Sequence, residues 1–140
     1  MELITAELLV NIDVDDLEKA IAFYRDGLGL RPARWLIGNI MEMLGGSSPI
    51  YLIEKASGSA ASPAMSQQRG YHRHWSPVHL DFVVSDILAG IDRAESAGAK
   101  LEGSLQTFNW GHMANFADPF GHGFCLIEFI GRGYDEISAN

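Results

Sequence analysis

The chain of 140 residues contains a single cysteine, Cys125, and therefore cannot form a disulfide bond within itself. It is also poor in basic residues, with 10 Lys and Arg against 18 Asp and Glu, which gives a net charge of −8. Nucleic acid is an unsuitable partner, because its phosphates require a basic surface. The charge is compatible with a cationic small ligand, although solubility alone also favours a net charge away from zero.

The sequence also lacks the long apolar runs of a membrane protein. No stretch approaches the roughly 18 consecutive apolar residues of a membrane-spanning helix. The first seven residues, MELITAE, have no basic segment leading into an apolar one, so we predict no signal peptide. We therefore expect a cytoplasmic protein with no membrane partner.

The sequence does contain an internal repeat at a spacing of seventy residues. Residues 9–17, LVNIDVDDL, are echoed by residues 79–87, HLDFVVSDI. Each copy is an apolar strand followed by an Asp and an amphipathic helix. Asp15 or Asp16 is predicted to cap the first helix, and Asp86 the second. Self-similarity of this kind predicts two like modules.

Each module is predicted to have the element order βαβββ, which makes the fold class α+β. Strands are expected at residues 7–14, 31–37, 40–44 and 49–54, and again at 79–84, 100–107, 111–117 and 123–129. Residues 55–70 are rich in Ala, Ser and Gly, a composition typical of linkers. We predict one domain over residues 5–131, with module one at 5–54, a linker at 55–76, module two at 77–131, and a tail at 132–140 that is either docked irregularly or frayed.

Two segments resemble a known family. Residues 16–30, DLEKAIAFYRDGLGL, resemble the first-helix signature of the vicinal oxygen chelate superfamily, which contains glyoxalase I, bleomycin-resistance proteins and extradiol dioxygenases. Residues 118–127, DPFGHGFCLI, are similar to its closing turn and strand. The resemblance covers roughly residues 5 to 130. It implies two βαβββ modules that form a curled mixed sheet around a cleft, and a homodimer.

The resemblance also implies where a metal would bind. In metal-using members, four ligands, typically His, Glu, His and Glu, come from the first and last strand of each module. The matching positions here are Leu9, Tyr51, His79 and Cys125, of which only His79 fits the pattern. Leucine cannot bind a metal, and tyrosine would have to lose a proton whose pKa is about 10.

We therefore predict that the usual four-ligand metal site is absent and that no cofactor is bound. The alternative is a divalent metal (Fe, Mn, Ni, Co or Zn) held by His79 with rearranged ligands. A two-residue shift of the first strand, which would bring Glu7 or Asn11 to the site, is the main route to such an arrangement.

Residues two apart on a strand share a face. If Leu9 and His79 face the cleft, the polar residues two positions further along their strands are predicted to line it as well. Trp110 offers a flat surface on which a planar or cationic ligand could stack, and His112 follows it with its face undetermined. The candidate ligand-binding residues are Asn11, Asp13, Tyr51, His79, Asp81, Trp110, His112 and Cys125. No catalytic residue is assigned.

The two aspartates of this set indicate the ligand chemistry. In glyoxalase I relatives the position of Asp13 holds a basic residue that binds a carboxylate of the substrate. Glutathione conjugates carry carboxylates, so they are unsuitable ligands for a site with Asp13 at this position. A cationic or hydroxyl-rich molecule fits better. The alternative is that Asp13 or Asp81 only accepts hydrogen bonds from neighbouring groups. Asp81 could also hold His79 as a general base, but neighbours two apart on one strand are expected to be too distant for a good hydrogen bond.

Three functions remain open. The first is binding of a small organic molecule in the cleft, as in bleomycin-resistance proteins. The second is a divalent-metal-dependent lyase, isomerase or dioxygenase that uses His79. The third is an interaction protein whose cleft is filled by its own side chains. Residues 69–75 are interpreted as a packed connection or a lid, His122 as an exposed turn residue, and Cys125 as a small core residue.

Overall fold

The computed structural model describes residues 6–139 and contains the βαβββ order twice. The first copy consists of β1 (Val10–Val14), α1 (Leu17–Asp26), β2 (Arg31–Leu36), β3 (Ile40–Leu44) and β4 (Ile50–Glu54). The second consists of β5 (Leu80–Val83), α2 (Ile87–Ser96), β6 (Lys100–Phe108), β7 (Gly111–Ala117) and β8 (Gly123–Phe129). The predicted fold class and element order are confirmed.

The two copies have the same strand order. The first sheet is ordered β1-β4-β3-β2 and the second β5-β8-β7-β6. In each sheet the first strand runs parallel to the last one, and the remaining pairs are antiparallel. The chain divides into two compact units, one holding the residues up to Arg25 and Gly29–Gly70, the other holding Asp26–Leu28 and the residues from Tyr71 onwards.

Helix α2 packs on one face of the second sheet. In the second unit, a Cβ placed on Gly90 of α2 would lie 3.4 Å from the side chains of Leu126 and Val84. The fully buried side chains are mainly apolar: Val14, Phe23, Met43 and Leu52 in the first unit, and Phe116, Phe120, Leu126 and Ile127 in the second. Burying one such side chain stabilises the fold by roughly 1.5–3 kcal/mol.

The predicted aspartate caps are present at both helix starts. Asp86 Oδ1 accepts a hydrogen bond from the amide of Ala89 at 3.2 Å. Asp16 Oδ1 accepts from the amide of Lys19 at 3.1 Å. Each carboxylate satisfies one of the free N–H groups of the first helical turn.

A second carboxylate also binds each helix start, and the sequence did not predict it. Glu54, at the end of β4, accepts from the amide of Leu17 at 2.9 Å. Glu128, on β8, accepts from the amide of Ile87 at 2.8 Å. Each module therefore ties its helix to its last strand through a glutamate, which stabilises the positive end of the helix dipole.

The Ala/Ser/Gly-rich segment after β4 is an ordered loop. Ala60 and Gln68 form an isolated antiparallel bridge. Arg69 closes the loop through the backbone oxygens of Ala60 and Ala61 and the hydroxyl of Ser59. A segment with the composition of a linker is therefore held in place by a backbone bridge and by the side chain of Arg69.

The chain after β8 is docked rather than frayed. Residues Gly133–Ile137 form a short 3-10 helix. The ring of Tyr134 lies 5.0 Å from Trp110 and 4.8 Å from Phe129, centroid to centroid. Within residues 6–139, no helix has the length and apolar character needed to cross a membrane.

Candidate functional site

Neighbouring strands of the second sheet bring three polar side chains to one face. Asp81 of β5 pairs with Cys125 of β8, which in turn pairs with Asn115 of β7. Paired residues of neighbouring strands share a face, and His79 stands two residues before Asp81. His79, Asp81 and Cys125 form what we call the His–Asp–Cys cluster.

The donor atoms of the His–Asp–Cys cluster all lie within 4.8 Å of one another. His79 Nε2 is 3.3 Å from Asp81 Oδ1, closer than the sequence analysis expected for residues two apart. His79 lies immediately before the first residue of β5, Leu80. The Cys125 thiol donates to Asn115 Oδ1 at 3.1 Å.

The members of the cluster differ in their contact with solvent. The side chains of His79 and Asp81 are 32% and 38% exposed, whereas Cys125 is buried. Burial, followed by the neighbouring Asp81 carboxylate, raises the pKa of the Cys125 thiol to about 12. The thiol is therefore protonated near neutral pH, and His79 and Asp81 are the groups that a dissolved molecule can reach.

An aromatic ring covers one side of this cluster. The Trp75 ring lies 4.8 Å from the His79 ring, centroid to centroid, tilted by 40°. Trp75 also packs against Gly123, where an added Cβ would fall 2.0 Å from the indole. The guanidinium carbon of Arg73 lies over the Trp75 ring, 5.3 Å from its centroid. Glycine at position 123 is therefore what allows Trp75 to lie close to His79.

The segment Tyr71–Trp75 is held on the second unit by several polar contacts. Arg73 donates to both carboxylate oxygens of Glu102 at 2.5 Å, which lowers the pKa of that carboxyl and raises the pKa of the guanidinium. Arg73 and the amide of His74 both donate to the carbonyl of Gly121, at 3.3 and 3.1 Å. These contacts agree with a packed connection.

His122, in the turn that contacts the segment Tyr71–Trp75, differs from the expectation of an exposed residue. His122 is half-buried rather than exposed, with its ring 5.3 Å from His74 and 6.1 Å from Tyr71. Buried Asp118 accepts from the amides of Phe120 and His122 at 2.8 and 2.9 Å and so shapes the turn.

Strand pairing in the first sheet identifies the positions that correspond to the His–Asp–Cys cluster. In the first sheet Asn11 pairs with Tyr51, which pairs with Glu42. The corresponding pairs are Leu9 and His79, Asn11 and Asp81, Tyr51 and Cys125, and Glu42 and Asn115. The pairing of β1 with β4 matches that of β5 with β8 without a two-residue shift. Neither Glu7 nor Asn11 therefore takes the position of Leu9.

Tyr51 is engaged in a polar cluster that the sequence analysis missed. Its hydroxyl donates to Glu42 Oε2 at 3.0 Å. Arg34 donates to both oxygens of the same carboxylate, at 2.8 and 2.7 Å. Hydrogen bonding to Arg34 lowers the pKa of Glu42, and hydrogen bonding to Glu42 raises the pKa of Tyr51. A phenolate at Tyr51 is thus harder to form than in a free tyrosine.

The usual four-ligand metal site does not fit these residues. Leu9 is a hydrocarbon side chain that is 55% exposed, and Tyr51 is bound as a neutral phenol. The two positions in the first unit therefore offer no ligand, and the donors that do converge lie within the second unit.

The other predicted site residues of the first unit divide into two kinds. Asn11 is exposed. Asp13 is an ion-pair partner of Arg69, with Oδ2 at 2.7 Å from Nε. The charge of Asp13 is therefore balanced. Its contact with Arg69 agrees with the alternative in which Asp13 only accepts hydrogen bonds from neighbouring groups.

Trp110 and His112 are separated from the His–Asp–Cys cluster. The register of β7 places His112 opposite Glu128 and Thr107, on the face that carries α2, and its Nδ1 lies 3.0 Å from the Thr107 hydroxyl. Trp110 stacks on Phe108 at 5.0 Å with an interplanar angle of 4°. Both residues have structural partners away from the cluster.

Comparisons with known proteins agree with the fold. The chain resembles the fosfomycin resistance protein FosX from Listeria monocytogenes, with a TM-score of 0.69, 17% identity, and coverage of 91% of this chain and 96% of that one. It also resembles TnmS3, an antibiotic-binding protein from a Streptomyces species, with a TM-score of 0.65, 22% identity, and coverage of 93% and 100%. Lactoylglutathione lyase from Agrobacterium tumefaciens matches with a TM-score of 0.61, 23% identity, and coverage of 91% and 96%.

The family is shown by sequence rather than by these structures, whose low identities establish only the fold. No curated protein matches the chain in sequence. Residues 9–127 match a family described as a glyoxalase-like domain. That span runs from Leu9 to Ile127 and covers both βαβββ modules except the last two residues of β8. The chain therefore belongs to the glyoxalase-like domain family, within the vicinal oxygen chelate superfamily.

Proposed function

We propose that this chain binds a small organic molecule, in the manner of a bleomycin-resistance-type protein, and that it does so without the usual four-ligand metal centre. The observation that carries the proposal is the asymmetry between the units. Leu9 and Tyr51 offer no metal ligand, whereas His79 and Asp81 are about one third exposed beside the Trp75 ring.

The contacts around His79 define the chemistry of the ligand. Asp81 supplies an accepting carboxylate, His79 a ring nitrogen, and Trp75 a flat apolar surface. A planar molecule with a hydroxyl or amino group would satisfy all three, because binding sites combine apolar surface with a few placed polar groups. Asp13 adds little attraction for a cation because Arg69 balances its charge.

A thermal-shift screen tests this proposal. Untagged, chelator-treated protein would be heated with planar amines, phenols and polyols, since a ligand that binds only the folded state raises its stability. A ligand at 100 times its Kd adds about 2.7 kcal/mol. We expect stabilisation of the wild type by some of these compounds and loss of the effect in His79→Ala and Asp81→Asn.

The matched control is His112→Ala, which removes an imidazole from the opposite face of the same sheet. It should respond to the compounds as the wild type does. The proposal fails if no class stabilises the wild type, or if His79→Ala responds to every compound as strongly as His112→Ala.

The second candidate function is a divalent-metal-dependent lyase, isomerase or dioxygenase that uses His79 with rearranged ligands. The convergence of three potential donor atoms within 4.8 Å favours it. Metal analysis of untagged protein, prepared without chelator, separates the two functions. Near-stoichiometric Fe, Mn, Ni, Co or Zn that disappears in His79→Ala would replace the first proposal with the second.

A further inference from the structure

We propose that the organic molecule bound at His79 and Asp81, the near end of the site, is elongated, with an amino group at that end and a planar aromatic group at the other. The planar group stacks on four rings at the far end of the same sheet face, which we call the far aromatic surface: Phe108, Trp110, Phe129 and Tyr134. The inference rests on the proposed function and adds to it the length and shape of the ligand.

The strand register places Phe108 and Phe129 on the face that carries the His–Asp–Cys cluster. Residues two apart on a strand share a face, and so do directly paired residues of neighbouring strands. Phe129 stands four residues after Cys125 on β8 and therefore lies on the same face. Phe129 pairs with Gly111, which in turn pairs with Phe108. At roughly 3.3 Å per residue, the two ends of this face are roughly 13 Å apart.

The four rings form one continuous surface that is partly open to solvent. Trp110 stacks on Phe108 with ring centroids 5.0 Å apart, and Tyr134 lies 4.8 Å from Phe129. The Trp110 ring is also 5.0 Å from the Tyr134 ring, which joins the two pairs. Phe108 and Phe129 are 38% exposed, and Tyr134 is 50% exposed. Because aromatic rings favour stacked and edge-to-face contacts with one another, this surface suits a planar aromatic group.

An apolar stretch joins the two ends of the face. Val83 stands two residues after Asp81 and is 60% exposed. Val83 pairs with buried Ile127, which pairs with half-buried Met113. A hydrocarbon chain between the two ends therefore contacts apolar side chains, whereas a charged group there would lose its hydration without gaining a partner.

The charges at the near end favour a cationic group. The Asp81 carboxylate is 38% exposed, with Oδ1 at 3.3 Å from His79 Nε2. Arg73 lies over the neighbouring Trp75 ring, but it binds both carboxylate oxygens of Glu102, which balances its charge. An amino group at the near end can therefore donate a charge-assisted hydrogen bond to Asp81.

The experiment compares three amines by calorimetric titration: benzylamine, which reaches only the near end, and two derivatives that carry a dansyl ring on a hydrocarbon chain. The chains place the dansyl ring roughly 7 Å or roughly 13 Å from the amine, which matches two or four residues along a strand. We expect the longer derivative to bind at least about tenfold more tightly than benzylamine, with its dansyl emission shifted to shorter wavelength. The shorter derivative should gain less affinity, because its ring ends at the apolar stretch and has no rings to stack on.

Three variants assign the two ends of the ligand. Phe108→Leu should remove the extra affinity of the longer derivative and leave the Kd of benzylamine unchanged, which also shows that this variant is folded. His79→Ala should weaken the binding of all three amines. His112→Ala, on the opposite face at the same end of the sheet, is the matched control and should bind all three as the wild type does.

The possible failures of this inference are separate from those of the proposed function. The inference alone is overturned if benzylamine binds but the longer derivative binds no more tightly than the shorter one, or keeps its extra affinity in Phe108→Leu. It is also overturned if Phe108→Leu changes only the oligomeric state, which would assign the far aromatic surface to a second copy of the chain. If none of the amines binds the wild type, the inference is overturned, and the phenols and polyols of the thermal-shift screen still decide the proposed function.

Discussion

Cys125 shows how its surroundings decide the chemistry of a single residue. The family resemblance implies a metal ligand at its position, and burial raises the pKa of its thiol from 9.0 to about 12. In the absence of metal it behaves as the small core residue expected from the sequence. Burial, which the sequence indicated, is the larger cause of the shift, and the contribution of Asp81 on the neighbouring strand adds to it.

The raised thiol pKa predicts a loss of stability at alkaline pH. Because the pKa is higher in the folded state, its contribution is complete below about pH 9 and is lost as the pH rises toward about 12. The free energy of unfolding of metal-free wild type should therefore fall more steeply over this range than that of Cys125→Ala. Urea unfolding across the range measures both, and parallel curves would contradict the prediction.

The Glu42 cluster predicts the opposite dependence at acidic pH. Arg34 lowers the pKa of Glu42 below 4.5, so this carboxylate's contribution is present above that value and is lost as the pH falls through the folded-state pKa. Acidification should destabilise the wild type more than Glu42→Gln. The acid limbs of the two unfolding profiles provide the measurement, and equal slopes would rule out a stabilising role for the ionised carboxylate.

Glu42 also marks a limit of sequence reasoning at the scale of residues. Its place among the apolar residues of β3, IMEML, was a usable signal, because a charge in a buried strand requires a partner. The identity of the partner was not predictable. Arg34 lies where the register between β2 and β3 shifts, between Pro32 and Trp35, and such an irregularity depends on both strands.

At the scale of elements, the start of α2 gives a direct test of the cap. Asp86→Ala removes the bond to the amide of Ala89 and should lower the free energy of unfolding by about 1 kcal/mol. Asp92→Ala, exposed in the middle of the same helix, is the matched control and should change stability by less than about 0.5 kcal/mol. Equal effects of the two substitutions in chemical denaturation would show that the cap contributes nothing specific.

The turn after β7 gives a test of how the segment Tyr71–Trp75 is docked. Gly121 has φ +84°, and a Cβ there would fall 2.4 Å from the His72 carbonyl oxygen. Gly103 has a similar φ of +75° but nothing within 4 Å of an added Cβ. Gly121→Ala should therefore destabilise the protein by about 1–3 kcal/mol more than Gly103→Ala.

Calorimetric or urea unfolding of the two alanine variants supplies that comparison. Their shared backbone strain cancels, and the remaining difference reports the contact with His72. A difference near zero would mean that the Tyr71–Trp75 segment moves away without loss, and that Trp75 is not fixed beside His79.

The elements themselves were largely predictable from the sequence. Apolar alternation, the two aspartate caps and the Gly-containing turns located every strand and both helices to within a few residues. The exceptions were segments organised by tertiary contacts. Arg69 orders the loop after β4, and Tyr134 docks the 3-10 helix after β8. Neither contact has a local sequence signal.

At the scale of the whole molecule, the two modules of the repeat share a fold but differ at the positions that correspond to the His–Asp–Cys cluster. The two sheets have the same strand order, but the positions equivalent to His79 and Cys125 are Leu9 and Tyr51. The family resemblance had already implied these matching positions, and the equivalent strand pairs Asn11–Tyr51 and Asp81–Cys125 agree with it. The sequence could not predict that Asp81 approaches His79 or that His112 faces away, since both depend on side-chain placement.

The expected homodimer also belongs to this scale. We propose that the chain, of mass 15.3 kDa, associates as a pair. Light scattering coupled to size-exclusion chromatography should give about twice the mass of one chain at micromolar concentration. A mass equal to one chain over the accessible concentration range would contradict this expectation.

The central claim is that His79 and Asp81 hold a small organic molecule without help from a four-ligand metal centre. Its most direct test is the calorimetric Kd of the best compound from the thermal-shift screen, measured with and without chelator, for the wild type, His79→Ala and His112→Ala. We predict that the Kd of the wild type is unaffected by chelator. His79→Ala should raise the Kd at least about tenfold, which corresponds to a loss of about 1.4 kcal/mol of binding free energy. His112→Ala should leave the Kd unchanged. Binding that disappears with chelator, or that is equal in all three proteins, would contradict the claim.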